Sequence, residues 1–458
     1  MEPDMAETVK DFREFLGKET KELRIGRGAI HEVGEVFRMR FPEEEAILIA
    51  DPNTLPFARA VEEELRKEGC GCTGIHVIED PELYAEHRFV EEVQRVLEGH
   101  RAVAVAVGSG TINDLVKLAS HRLERPYLCV ATAASMDGYT AFGASITFEG
   151  SKQTFSCPAP AAVVADTGIM VTAPVEMGAS GYADLLSKVT AGADWILADA
   201  LGEEAIDRKA WDIVQGGLRH ALADPEGVKA GNLKALEALT EGLMLGGFAM
   251  QWHRSSRPAS GAEHQFSHLW DMQHHTHNGR APSHGFKVGV ATLAVTALYE
   301  ALLNLPLEEI DPAAAAEAWP EPDVFAERIR ELFPDEELQE IAVKEGLLKH
   351  PPRETVRCQV ELLRKQWPEL RDKLRGQLIP FAEIRHMLEE AGAPTEPEEI
   401  GISRNRLRKS FDMAYFIRRR FTVLDLARRA CLLEPCLEHL FGPEGIWPEN
   451  GGRENPNS

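Results

Sequence analysis

The run Ala102–Val107 is apolar throughout and passes directly into Gly108-Ser109-Gly110, after which residues from Ile112 to Ser120 take helical spacing. A short unbroken apolar run that ends in a glycine turn and a helix is one strand–helix unit of a buried sheet. The unit recurs. Ala46–Ala50 is a strand that ends in the turn Asp51-Pro52-Asn53-Thr54, and Pro56–Lys67 follows with helical spacing. Gly74–Ile78 is a strand, Val90–Leu97 a helix and Tyr127–Ala131 a further strand. Strands that are apolar at every position must be covered on both faces, so this half of the chain is constrained to a parallel sheet flanked by helices.

From Ile146 the pattern changes. ASITF and QTFSC predict a hairpin with polar edges, and AAVVAD predicts one more buried strand. Beyond Val171-Thr172-Ala173-Pro174 the periodicity is helical. The clearer helices are Val175–Leu201, Glu204–Ala223, Leu233–His253, Phe286–Leu303, Asp323–Leu332 and Phe411–Leu432. Pro306–Pro322 and Pro394–Pro397 are expected to be loops between helices. The expected fold class is α/β. A Rossmann-like parallel-sheet nucleotide domain (residues 1–172) precedes an all-helical metal-binding domain (173–450), with a polar, disordered tail at 451–458.

The net charge is −24. Such a surface repels nucleic acid and anionic membrane, so neither is expected as a partner. The N-terminus is acidic and lacks an apolar core, and no run is read as long enough to cross a bilayer; a cytoplasmic location is expected. Seven cysteines without a C-x-x-C suggest reduced thiols. The basic stretch Arg404–Phe421 is expected to be a helix that makes ion pairs with the acidic remainder.

The turn Gly108-Ser109-Gly110 is a plausible cradle for a dinucleotide phosphate, because glycine admits positive φ and close backbone approach. Asn113 stands where a third glycine would complete G-x-G-x-x-G, so the turn alone also fits any tight strand-to-helix connection. Asp51 could accept a ribose hydroxyl, and a carboxylate there would favour NADH over NADPH. Downstream, one carboxylate and several imidazoles supply the chemistry of a catalytic metal set with an open position. Asp184 is read as early in a helix, where the dipole favours a carboxylate. His264 and His268, four apart, share a helix face. Spacing does not choose among the six histidines 264, 268, 274, 275, 277 and 284.

The motifs choose. GSGTINDLVK, TAASMDGYT, ADTGIM, GYADLLSK, SSRPASGAEHQFSH and PSHGFKVGV occur in that order. Together they resemble the sn-glycerol-1-phosphate dehydrogenases, particularly the bacterial branch, within the dehydroquinate synthase and iron-containing alcohol dehydrogenase superfamily. The resemblance runs from Glu22 to Gly442. It implies that Gly108, Ser109, Gly110, Thr111, Ile112, Thr132 and Ser135 face NAD(P)H. It implies that Asp184, His264 and His284 hold one divalent metal (Zn, Ni or Fe), and that Asp137, Asp184 and His268 meet the substrate. Two departures stand out: Ser109 replaces the middle of three glycines, and Ala141 stands where many members have serine. The implied reaction is metal- and NAD(P)H-dependent reduction of dihydroxyacetone phosphate in a homo-oligomer. A polyol dehydrogenase, a dehydroquinate synthase-like cyclase and a non-catalytic metal scaffold are the alternatives. For the substrate phosphate, Arg257 and Lys287 qualify by charge alone.

Overall fold

The computed structural model describes residues 19–81, 83–148 and 151–448. The N-terminal segment read for a signal and the 451–458 tail lie outside them. Among the described residues eight strands form: β1 (Glu22–Gly26), β2 (Ala46–Ala50), β3 (Cys72–Val77), β4 (Val103–Gly108), β5 (Tyr127–Ala131), β6 (Ala144–Phe148), β7 (Ser151–Phe155) and β8 (Ala162–Asp166). Six of them make one parallel sheet in the order β1-β8-β5-β4-β2-β3, while β6 and β7 pair as an antiparallel hairpin. Every residue of β2, β4, β5 and β8 is buried. Leu48, Val105, Val130 and Val164 face one layer of helices; Ile49, Ala106, Cys129 and Ala165 face the other. Two-sided burial is why these strands read as unbroken apolar runs. β1 escapes that reading. It is an edge strand beside β8 whose Arg24 ion-pairs with Glu22 and Glu32 at the surface.

From β2 the chain goes to β3 at one edge of the sheet, then fills the other side through β4, β5 and β8. The order therefore reverses between β2 and β4. Parallel sheets bind ligands beyond the carboxyl ends of their strands at such a switch point. Asp51 and Gly108 stand there.

The rest is helical, with a second apolar core built around Trp270, Tyr299, Trp367 and Phe411. Leu233–His253 forms with the expected bounds. The expected Val175–Leu201 helix is instead two, Val175–Leu186 and Lys188–Ala200. The Asp184 carbonyl accepts the Ser187 hydroxyl (2.6 Å) and Lys188 Nζ (2.9 Å), side-chain donors that compete with the helix's own amides. The expected Phe411–Leu432 helix is also broken. Arg404–Met413 and a short turn at Ala414–Phe416 are followed by non-helical chain, and Thr422 then opens helix Val423–Arg429 through a capping box with Asp425. Prolines read as loop markers turn out to start helices: Pro312 and Pro322 begin Pro312–Ala318 and Pro322–Leu332. Glu336–Leu348, Arg353–Gln377 and Phe381–Ala391 fill the rest of that region.

Among the described residues one helix, His284–Leu303, is long and apolar enough to cross a membrane, contrary to the expectation from sequence. Buried inside the molecule over 83% of its apolar window, it serves as a core helix. The basic stretch does make ion pairs, Arg404 with Glu398 and Arg419 with Glu345, but only its first half is a regular helix.

Candidate metal and substrate site

Three helices converge. Val175–Leu186 carries Asp184, Ala262–Met272 carries His264 and His268, and His284 is the first residue of His284–Leu303. Ligand atoms of Asp184, His264 and His284 all lie within 4.8 Å of one another. His264 Nε2 is 3.7 Å from Asp184 Oδ1, and the His264 and His284 ring centroids are 5.3 Å apart. Two ligands about 2.1 Å from one ion at a tetrahedral angle stand roughly 3.4 Å apart, so donor set and spacing fit a divalent cation. Glycines permit the convergence. A Cβ on Gly285 would stand 1.8 Å from the Ser180 carbonyl oxygen, and one on Gly181 1.9 Å from that of Ala134.

Asp184 lies in the last turn of its helix, not early in one. The dipole there disfavours a carboxylate. Lys188, buried one turn further on, compensates. Its Nζ is 2.8 Å from Asp184 Oδ1 and 2.7 Å from Asp137 Oδ2, and the Asp137 amide donates to Asp184 Oδ2 at 3.1 Å. Burial alone would raise the Asp184 carboxyl, but Lys188 and the imidazoles of His284 and His264 bring it down to about 2. Burial and the neighbouring Asp184 charge push Asp137 up. Lys188 stays protonated because the two carboxylates outweigh its burial. Sequence reasoning missed Lys188, although an acid and a base four apart in DLLSK was the signal for it.

Glu263 was missed too. Fully buried, it accepts from the Gly261 amide at 2.6 Å, from Thr190 Oγ1 at 2.9 Å and from His264 Nδ1 at 2.8 Å. That last bond leaves Nε2 as the His264 nitrogen turned toward Asp184, the arrangement by which a carboxylate orients a metal-binding imidazole.

A cleft of about 1110 Å³ opens over these groups. Ser109, Gly110, Thr111, Ser135, Asp137, His264, His268 and His284 line it. His268 has its ring centroid 6.4 Å from those of both His264 and His284. Gly108, Ile112 and Thr132 lie buried behind the lining. Neither Gly108 nor Gly110 has positive φ, so the turn needs glycine for space. A Cβ on Gly108 would meet Ile112 Cβ at 2.6 Å, and one on Gly110 would meet Met136 Cε at 2.2 Å. Asp51 lies outside the lining residues. Its Oδ1 accepts from the Asn53 and Thr54 amides at 2.7 and 3.0 Å.

Arg257 is not available to a substrate. It is 1% exposed, outside the lining of the cleft, and its guanidinium donates to the Phe421 and Asp194 carbonyls, both at 2.9 Å. A cation this deep is held by structural acceptors, which composition could not reveal. Lys287 does line the cleft, in an ion pair with Asp271. His274 and His275 also reach it. His275 Nε2 donates to the Ile400 carbonyl at 2.6 Å and Nδ1 accepts from Arg406 at 2.7 Å, so this ring ties a loop to a helix.

Comparison with known proteins supplies independent information. The sequence profile described as iron-containing alcohol dehydrogenase matches residues 24–174. The glycerol-1-phosphate dehydrogenase, NAD(P)+, of Halalkalibacterium halodurans is 34% identical over 289 residues, covering 62% of this chain and 71% of that protein. The enzyme of the same name from Geobacillus thermodenitrificans is 28% identical over 421 residues, 90% of this chain and 94% of that one. Among solved structures, a probable glycerol dehydrogenase from Sinorhizobium meliloti superposes with a TM-score of 0.58 at 14% identity, covering 92% of this chain and 98% of that one, a likeness of fold. Strand order, convergent helices and sequence identity lead to one assignment: the chain is an oxidoreductase that belongs to the glycerol-1-phosphate dehydrogenase family.

Proposed function

We propose that the protein catalyses the reversible reduction of dihydroxyacetone phosphate to sn-glycerol-1-phosphate, using NADH or NADPH and one divalent cation, Zn, Ni or Fe. The observation that carries the reading is that the Asp184, His264 and His284 cluster opens into the same cleft as the turn Ser109–Thr111. Those three residues would hold the cation. Ser109, Gly110 and Thr111 begin a helix whose amides and dipole suit a pyrophosphate, with Gly108, Ile112 and Thr132 behind them and Ser135 beside them. Asp51 remains the choice for a ribose hydroxyl. When bound, the cation supplies Lewis acidity at the C2 oxygen and the reduced nicotinamide supplies hydride. His268, one helical turn beyond His264, holds a proton within the cleft for the oxygen that becomes the alcohol. Asp137, tied to Lys188, orients a substrate hydroxyl. In this reading residues 1–172 bind the dinucleotide and 173–450 hold cation and substrate, a division supported by the end of the sheet at Asp166.

The test is steady-state NADH and NADPH oxidation with dihydroxyacetone phosphate by protein of measured metal content. Turnover with the phosphate and far poorer turnover with dihydroxyacetone is expected, because remote binding energy is lost with the anion. Comparable kcat/KM for the two would indicate a polyol dehydrogenase. Absence of net NADH consumption with either would indicate a cyclase or a scaffold.

A further inference from the structure

We infer that Arg418 and Arg420 seat the phosphomonoester end of the substrate; the inference rests on the reaction proposed above. After the turn at Ala414–Phe416 the chain takes no helical form until Val423. Arg418 and Arg420 alternate along this segment and line the cleft, each only partly exposed. Arg419, between them, is exposed and pairs with Glu345 at 2.9 Å.

Among the described residues neither guanidinium group has a carboxylate within ion-pair distance. Arg420 donates to Ser260 O (2.5 Å), Ser256 O (3.4 Å) and Ser256 Oγ (2.9 Å), all neutral acceptors. Among the described residues no carboxylate lies within ion-pair distance of Arg418, nor does its guanidinium make a hydrogen bond. The other cations on the cleft wall are already matched, Lys287 by Asp271 and Arg254 by Glu19. Two partly desolvated like charges side by side are costly unless an anion joins them. Their titration agrees. Burial pushes Arg418 down to about 10; burial, Arg418 and Arg257 push Arg420 down to about 9, outweighing the opposing charges of Glu204 and Glu263.

The segment is also held in place. Lys349, whose side chain is buried, donates to the carbonyls of Tyr415 (3.0 Å), Arg418 (3.3 Å) and Arg420 (3.3 Å). Gln265, the residue after His264, donates to the Arg420 carbonyl at 3.4 Å. The arginines are thereby fixed beside the helix that carries His264. In a chain of net charge −24, this is a local positive field at the substrate end of the cleft, and guanidinium pairs suit phosphate oxygens.

The experiment compares metal-loaded full-length wild type with Arg418→Gln, Arg418→Lys, Arg420→Gln and Arg419→Ala. It measures kcat/KM for dihydroxyacetone phosphate and dihydroxyacetone, each with NADH and NADPH, and calorimetric binding of inorganic phosphate. The preference for the phosphorylated ketose should fall about 10- to 100-fold in both Gln variants, mainly through KM, as expected for a lost charged hydrogen bond. Arg418→Lys should recover part of it, Arg419→Ala should retain it, and phosphate binding should be lost in both Gln variants. Because the Arg418 guanidinium makes no hydrogen bond or ion pair among the described residues, and its carbonyl bond to Lys349 survives a side-chain change, its replacement leaves folding intact even if that of Arg420 does not. An unchanged preference in Arg418→Gln would overturn the inference. So would a rise in KM for NADPH alone, which would assign the anion to the cofactor's 2′-phosphate. If wild type binds phosphate through these arginines yet does not reduce dihydroxyacetone phosphate, the proposed reaction fails and the anion seat stands.

Discussion

At the scale of single residues, the imidazole of His264 has two nitrogens with different tasks. Nδ1 is committed to Glu263, and Nε2 faces Asp184. His264→Ala should therefore lose metal and activity together. His275→Ala should keep its metal, because that ring is spent on Ile400 and Arg406. Elemental analysis of the two purified variants decides between them, and full metal in the His264 variant would sink the assignment. Glu263→Gln tests orientation. An amide can still meet His264 but no longer offers a carboxylate, so metal affinity should fall about 10- to 100-fold. Competition titration against a chromophoric chelator reads this, and an unchanged affinity would make Glu263 a packing residue only.

At the scale of elements, the site exists because helices approach more closely than side chains normally allow. Gly285→Ala would place a methyl group 1.8 Å from the Ser180 carbonyl oxygen, so helix His284–Leu303 must move away from Val175–Leu186. Overpacking of this kind costs about 1–3 kcal/mol, and here it also separates His284 from Asp184. A lower urea midpoint together with weakened metal binding is expected; weakened binding without loss of stability would contradict the argument. A different contact joins Glu203, just beyond helix Lys188–Ala200, to Arg429 at the end of Val423–Arg429, at 2.5 Å. Partial burial would raise the Glu203 carboxyl, but Arg429 and Gln359 hold it below its ordinary 4.5. A depressed folded value means the native state favours the anion. The pair's contribution is thus present above the unfolded value and is lost as pH falls through the folded one. Since the carboxylate is 30% exposed, the contribution is below about 1 kcal/mol. Glu203→Gln should lower the urea midpoint at neutral pH and converge with wild type in acid; a pH-independent difference would assign the effect to packing.

At the scale of the molecule, cation and fold are linked. Three helices separated by up to a hundred residues meet at Asp184, His264 and His284, and the buried Lys188 balances only part of the acidic charge there. A cation that binds the native state alone stabilises it by about 4 kcal/mol at a thousandfold excess over Kd. Dialysis against a chelator should lower Tm, and readdition of Zn should restore it. An identical Tm for stripped and loaded protein would mean that no cation is held at this site.

What the sequence by itself determined is the parallel sheet and the candidates for its ligand. Runs such as Ala46–Ala50 and Ala102–Val107 can only be satisfied by burial on both faces, and the ordered motifs carry the family. Local patterns also foretold Leu233–His253, because a capping asparagine and a long apolar period are properties of neighbouring residues. Tertiary structure decided whatever depends on partners distant in sequence. Ser187 interrupts a helix because it shares a carbonyl with Lys188, and Lys188 is charged because Asp137 approaches from another segment. Arg257 and Arg420 look alike in sequence. One is enclosed by carbonyls from residues 194 and 421 while the other lines the cleft, and only the folded chain sets how much water and how many acceptors each cation meets.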